Sequence, residues 1–168
     1  MFTPKTLPTD NVLLHENPRS AEALFALVAE HVASGEAVLA ARIRERLKRR
    51  HLWRSVNLGN GFALPHAAVP GLSTLRAVYV RSAAPIDMGL ERGPAVSDSL
   101  TLLIPSPGLS AEHDLLMALT QSLLTPSTAR ALRAARSEAE VQQLLSESPP
   151  RWRAYAAPVS GSALGAMV

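Results

Sequence analysis

The sequence predicts an α/β domain in which a mixed sheet is covered by helices. Three observations carry that expectation. Runs rich in β-branched and aromatic residues, "TLRAVYVRSAA" (74–84) and "SLTLLIP" (99–105), have strand character, the second apolar enough for burial on both faces. Segments with apolar residues at helical spacing lie before and after them, so strands and helices mix without strict alternation. The 168 residues are 47% hydrophobic, enough for one core, but only 4% aromatic, so Leu, Val, Ala and Ile must build it.

Taken in order, "NVLL" (11–14) reads as a short strand or an extended lead-in. "SAEALFALVAEHVASG" (20–35) reads as a helix that Ser20 can cap and Gly35 can end, with Leu24, Leu27, Val28 and Val32 at helical spacing. A second helix, "EAVLAARIRERLKRR" (36–50), turns Ala40, Ile43 and Leu47 inward and its arginines outward. Gly59-Asn60-Gly61 forms a turn. Phe62 to Leu64 then forms a short strand, because a residue before proline is held extended. On this reading the chain turns directly after Pro65-His66. "SAEHDLLMALTQSLL" (110–124) is helical through Leu115, Leu116, Leu119 and Leu123. "TPSTARALRAAR" (125–136) and "SEAEVQQLL" (137–145) add two short helices, the latter with Ser137 and Glu140 at capping-box spacing.

Composition closes off several chemistries. With no cysteine there is no disulfide, thiolate zinc site or cysteine nucleophile, and a reducing compartment fits. "MFTPKTLPTD" lacks the apolar core of a signal peptide. No run approaches the roughly 18 apolar residues of a spanning helix, so the cytoplasm is the expected location and no membrane segment is expected. The tail "AYAAPVSGSALGAMV" (154–168) reads as a flexible end able to pack on a neighbouring chain, which leaves a homodimer open. The formal net charge is +3, yet seven of the thirteen residues in "RIRERLKRRHLWR" (42–54) are Arg or Lys. That block reads first as a solvated helix face. Trp53 is its only aromatic residue, which argues against single-strand stacking, and no nucleic-acid partner is expected.

The five histidines are His15, His31, His51, His66 and His113, and no two stand at i, i+4 spacing on an H-E-x-x-H pattern. No P-loop, dinucleotide fingerprint or nucleophile elbow is present, so neither a metal nor a cofactor is expected. His31 falls on the polar flank of a helix. His66 stands apart in "GNGFALPHAAVPGL" (59–72), between a Gly-rich turn and a Pro/Gly-spaced loop. Those glycines precede a strand and not a helix, so they do not make a phosphate loop. A neutral imidazole is nucleophilic at one nitrogen when the other holds its proton against an acceptor. By residue chemistry alone, His66 is open to two readings: a satisfied structural histidine, or a nucleophile for a phosphoryl group.

Five stretches occur in order across residues 7–146: "NVLL" with Ser20 beyond it, "GNGFALPH", "APID" (84–87), "LLIP" (102–105) and "AEHDLLMAL" (111–119). In that order and spacing the chain resembles the IIA domain of the fructose/mannitol (type 2) class of the bacterial phosphotransferase system, above all its nitrogen-regulatory branch. The resemblance implies a single domain over 7–146 with a mixed sheet of about five strands flanked by helices on both faces, and a C-terminal extension over 147–168. It implies that His66 is the residue phosphorylated, from a histidine of an HPr-like carrier. His113 is then the second active-site histidine, placed to hydrogen-bond a phosphoryl oxygen, and Arg50 offsets the phosphoryl charge. The implied role is a phosphocarrier component, not a stand-alone enzyme, whose phosphorylation state sets its binding to a sensor kinase, transporter or other regulatory target. A sugar-specific IIA of the same class is the neighbouring reading.

Three positions depart from the family pattern. Ala67 stands where the family has glycine, His51 where it has glutamate, and Val56 where it has a hydroxyl residue. If position 67 requires positive φ, an alanine there costs about 1 kcal/mol. Together the departures support an alternative of another class, a binding module that has lost phosphotransfer. Arg49, Arg50 and Arg54 beside the site would weaken docking of a basic carrier or require a more acidic one.

Overall fold

The computed structural model describes residues 12–53, 56–89, 95–106 and 112–147. Its elements follow in the order β1 (Val12–Glu16), α1 (Ala21–Ala33), α2 (Ala37–Trp53), β2 (Phe62–Ala63), β3 (His66–Val69), β4 (Arg76–Ile86), β5 (Val96–Pro105), α3 (Glu112–Leu124), α4 (Pro126–Ala134) and α5 (Glu138–Glu147). The sheet is mixed. β1 runs parallel to β4, β4 antiparallel to β5, and β2 and β3 both lie parallel along the outer side of β5. Residues 148–168, which include most of the expected C-terminal extension, lie outside the described residues.

Alternation along the strands divides the core in two, since successive side chains point to opposite faces. Phe62, Leu64, Tyr79, Leu100 and Leu102 pack with Leu115, Leu119 and Leu123 of α3, Leu132 of α4 and Val141 of α5. Ala63, Ala67, Val69, Val78, Val80 and Leu103 pack with Leu24, Phe25 and Val28 of α1 and Ile43 and Leu47 of α2. Helices therefore cover both faces, which is why the second half of β5, Leu100 to Ile104, is apolar but for Thr101. Burying each Leu or Phe side chain contributes about 1.5–3 kcal/mol.

The helix ends follow local chemistry. Ser20 accepts the N–H of Ala23 at 3.1 Å, and α1 stops where Ser34 takes left-handed backbone at φ 49° just ahead of Gly35. Ser137 accepts the N–H of Glu140 at 3.2 Å, while the Glu140 carboxylate accepts the N–H of Arg136 at 3.0 Å. α2 runs on to Trp53, past the expected end at residue 50, because His51 continues the buried stripe of Ala40, Ile43 and Leu47. Its Nε2 lies 2.8 Å from the Met88 carbonyl and its ring meets Phe25 edge-on at 5.5 Å.

The glycine turn before β2 is held from two sides. Asn60 donates through Nδ2 to the Leu123 carbonyl at 2.9 Å, and Arg133 donates to the Asn60 carbonyl with its guanidinium 4.9 Å over the Phe62 ring. Gly61 sits at φ +89°, and a Cβ there would come within 2.5 Å of Arg133 Nη2. Toward the opposite end of β5 from Pro105, buried Asp98 accepts from Tyr79, Arg81 and Ser97. Arg81 also donates to the Ala135 carbonyl at 2.7 Å, tying the sheet to the end of α4. Burial, reinforced by the Asp98 charge, pushes the Tyr79 phenol far up, so it remains a donor.

Candidate functional site

The strand leading to His66 is interrupted, not ended. β2 closes at Ala63, Leu64-Pro65 breaks the ladder, and β3 opens on His66 opposite Leu102 of β5. The chain does not turn after Pro65-His66 as expected; the turn comes at Pro70-Gly71. Proline has no N–H to donate, but the Pro65 carbonyl accepts the N–H of Leu102 at 2.9 Å, so pairing with β5 carries across the break. Ala67 and Val69 face α1 and α2, which places His66 and Ala68 on the opposite face of β3, at the sheet edge.

The ring of His66 is half-buried, with Nδ1 2.9 Å from the carbonyl of Leu64, two residues back. A carbonyl only accepts, so Nδ1 carries the proton and Nε2 keeps its lone pair. Burial pushes the imidazole below its ordinary pKa. The Leu64 hydrogen bond opposes this, the Arg50 guanidinium lowers it further, and the Glu112 carboxylate pulls it back up. The net effect is downward, so at neutral pH the ring is uncharged and nucleophilic.

Arg50 reaches the site from the other layer. It lies half-buried near the C-terminal end of α2 and lines a groove of about 250 Å³ with Arg46, Arg49, Trp53, Ala67 and Ala68. Further back, Arg42 donates to the Pro70 carbonyl at 2.8 Å. Gly71, at φ +98°, leaves room for that guanidinium, since a Cβ would stand 2.7 Å from Arg42 Nη1. α2 is thereby pinned to the turn that closes β3, and its last turns lie along the strand edge.

Glu112 opens α3 on the other side, half-buried and within electrostatic reach of His66. Sequence reasoning passed over it. The signal was its place beside His113 in "AEHDLL", on the first turn of a helix that packs on the His66 face of the sheet. His113 itself is exposed on that first turn, and no hydrogen bond joins it to His66 among the described residues. The structure thus brings the charges of Arg50 and Glu112 to bear on His66 and places His113 next to Glu112.

The three departures each have a structural home. Ala67 is 6% exposed, and Ser34 alone among the described non-glycine residues has positive φ, so alanine at 67 carries no backbone strain. Val56 is buried in the core on the α1 and α2 side. His51 is buried against Met88 and Phe25, where a carboxylate would lack a donor from the Met88 carbonyl. Among the described residues no three of His, Asp and Glu come together as a metal site. No described helix is long and apolar enough to cross a membrane.

A half-buried neutral imidazole with one nitrogen fixed and the other free, set beside a guanidinium, suits acceptance of an anionic electrophile. The family model for the phosphoenolpyruvate-dependent sugar phosphotransferase system, EIIA 2, matches residues 5–148. The chain belongs to that family. Similar solved structures include nitrogen regulatory protein IIA-Ntr from Neisseria meningitidis, at 25% identity and TM-score 0.72 over 80% of this chain and 92% of that one. IIA mannitol from Escherichia coli matches at 18% identity and TM-score 0.64, over 80% of this chain and 95% of that one. A complex of enzyme IIA mannitol with phosphorylated enzyme IIB mannitol from Escherichia coli matches at 17% identity and TM-score 0.65, covering 82% and 94% respectively. The two mannitol likenesses concern the fold. No curated protein sequence matches the chain.

Proposed function

We propose that this IIA domain is a cytoplasmic phosphocarrier of the nitrogen-type branch. It accepts a phosphoryl group on Nε2 of His66 from a phosphohistidine of an HPr-like carrier, and its phosphorylation state governs which regulatory proteins it binds. One observation carries the reading: Nδ1 of His66 donates to the Leu64 carbonyl at 2.9 Å, which leaves Nε2 free. In the transfer, the Nε2 lone pair forms a bond to phosphorus as the carrier's N–P bond breaks. The carrier ring leaves as neutral imidazole, keeping the proton on its other nitrogen. The accepted phosphoryl then sits on a ring whose proton remains on Nδ1, still donated to the Leu64 carbonyl.

Such a step asks little covalent chemistry of the protein; positioning and charge carry it. Arg50 serves twice. Before transfer its charge disfavours the imidazolium and keeps the nucleophile neutral. Afterwards the same charge offsets a phosphoryl of about −1.5 to −2. His113, exposed on the first turn of α3, is the proposed second imidazole that hydrogen-bonds a phosphoryl oxygen. A change of that size on a half-exposed ring is sufficient to alter a protein contact.

The regulatory branch, and not sugar transport, is supported by the greater likeness to IIA-Ntr, 25% identity at TM-score 0.72 against 18% at 0.64 for the mannitol domain. Retention of phosphotransfer is supported by the unstrained backbone at Ala67. Incubation with phosphoenolpyruvate, enzyme I and the HPr-like carrier is expected to add one acid-labile phosphate, mapped to His66 and abolished by His66→Ala. Ordinary labelling of the alanine variant would overturn the assignment.

A further inference from the structure

α2 carries six Lys or Arg residues against a single carboxylate, Glu45, which pairs with Arg49 at 2.9 Å. Arg46 and Arg50 have no carboxylate within ion-pair distance among the described residues. At the end of the same helix Leu52 is 65% and Trp53 90% exposed. Trp53 lines the arginine groove, whose β3 side is formed by Ala67 and Ala68, and Ala68 shares its strand face with His66. Adjacent large apolar side chains left in water mark an interaction surface, and Trp and Arg are the residues that most often anchor one. Ala68 stands two residues from His66 on that face, and the charge of Arg50, which lines the groove, is felt at the ring, so whatever docks there lies beside the nucleophile.

We propose that this groove is the docking surface for the phosphoryl-exchanging carrier, and that the carrier presents to it an acidic rim around an apolar centre. The inference rests on the proposed function of His66 and adds the chemistry of its partner. Unpaired arginines repel a basic surface and attract an acidic one. Trp53 and Leu52 require an apolar patch to cover them. A nucleic acid would supply the negative charge, but the pairing of one indole with a short alanine-floored groove fits a folded protein surface better than a run of stacked bases. Glu112, on the α3 side of His66, does not line this groove and is, among the described residues, the one carboxylate whose charge reaches the ring.

The test uses the full chain with two donors: the phosphorylated HPr-like carrier of the same organism, and phosphoramidate, a small donor that needs no docking surface. The quantity read is the ratio of carrier-driven to phosphoramidate-driven labelling of His66. Arg46 and Arg49 are exposed, so the double change Arg46→Glu, Arg49→Glu leaves the fold intact. It is expected to lower the ratio about tenfold, with the Gln pair intermediate, because rim charges act chiefly on association rate. In the unmodified chain the carrier-driven rate is expected to fall as salt rises, since the screening length drops from about 10 Å at 0.1 M to about 3 Å at 1 M. A ratio unmoved or raised by the Glu pair would overturn the docking proposal while leaving His66 as acceptor. A single-stranded oligonucleotide that blocks carrier-driven labelling below the carrier's own concentration would overturn it in favour of nucleic acid. Absence of labelling by both donors would overturn the reading of the site, and the docking proposal with it.

Discussion

Replacing Ala67 by the glycine that the family carries tests the local backbone of the site directly. Ala67 pairs with Leu103, is 6% exposed and faces α1 and α2, in backbone that is not left-handed. Removing its methyl forfeits about 0.8 kcal/mol of burial. Placing glycine in a strand costs about 0.5–1 kcal/mol more in backbone entropy. The sum is about 1.5 kcal/mol, a fall in Tm of about 3–6 °C for a domain of this size. Thermal unfolding followed by circular dichroism or calorimetry measures it. Labelling of His66 by phosphoramidate is expected to be no faster in the Ala67→Gly chain, because the imidazole already stands in unstrained geometry. Were position 67 held at positive φ, glycine would instead stabilise by about 1 kcal/mol. A Tm that rises or stays level refutes the reasoning.

Labelling of His66 requires the uncharged ring, so its rate is expected to climb with pH through a pKa held below the ordinary histidine value and then level off. Arg50→Gln removes one of the two influences that lower that pKa. The climb then moves to higher pH, and the variant loses more rate at mildly acidic pH than at neutral pH; a profile that shifts to lower pH contradicts the assignment. Gly61→Ala is expected to cost about 1–2 kcal/mol from its φ of +89°. Adding Arg133→Ala removes the 2.5 Å approach but not the backbone cost, so equal stability of Gly61→Ala and the parent by urea denaturation would show the turn to be freer than this.

Much of the fold was legible because its determinants are local. Leu24, Val28 and Val32 recur with the period of a helix, and Ser20 and Ser137 offer side-chain oxygens where unpaired N–H groups need them. Val78, Tyr79 and Val80 announce a strand by shape, and the unbroken apolar run at 102–104 announces burial on both faces. The peculiarity of His66 was visible too, in its setting between glycines and prolines. The end of α2 was misplaced for an instructive reason. A histidine at the fourth position of a buried stripe looks polar in a sequence, and only the Met88 carbonyl, 37 residues away, makes its burial tolerable.

What the sequence by itself determined was therefore most of the elements, though not β3, together with their faces and the histidine set apart by its neighbours. Tertiary structure decided the setting of that residue: which nitrogen is free, which charges reach it, and that strand pairing continues through Pro65. Those outcomes depend on Arg50, His66 and Glu112 meeting from α2, a strand edge and α3, across separations that no periodicity spans. Local pattern records the conformation of each segment. The electrostatic field at an imidazole is a sum over space, and it exists only once the layers have closed around it.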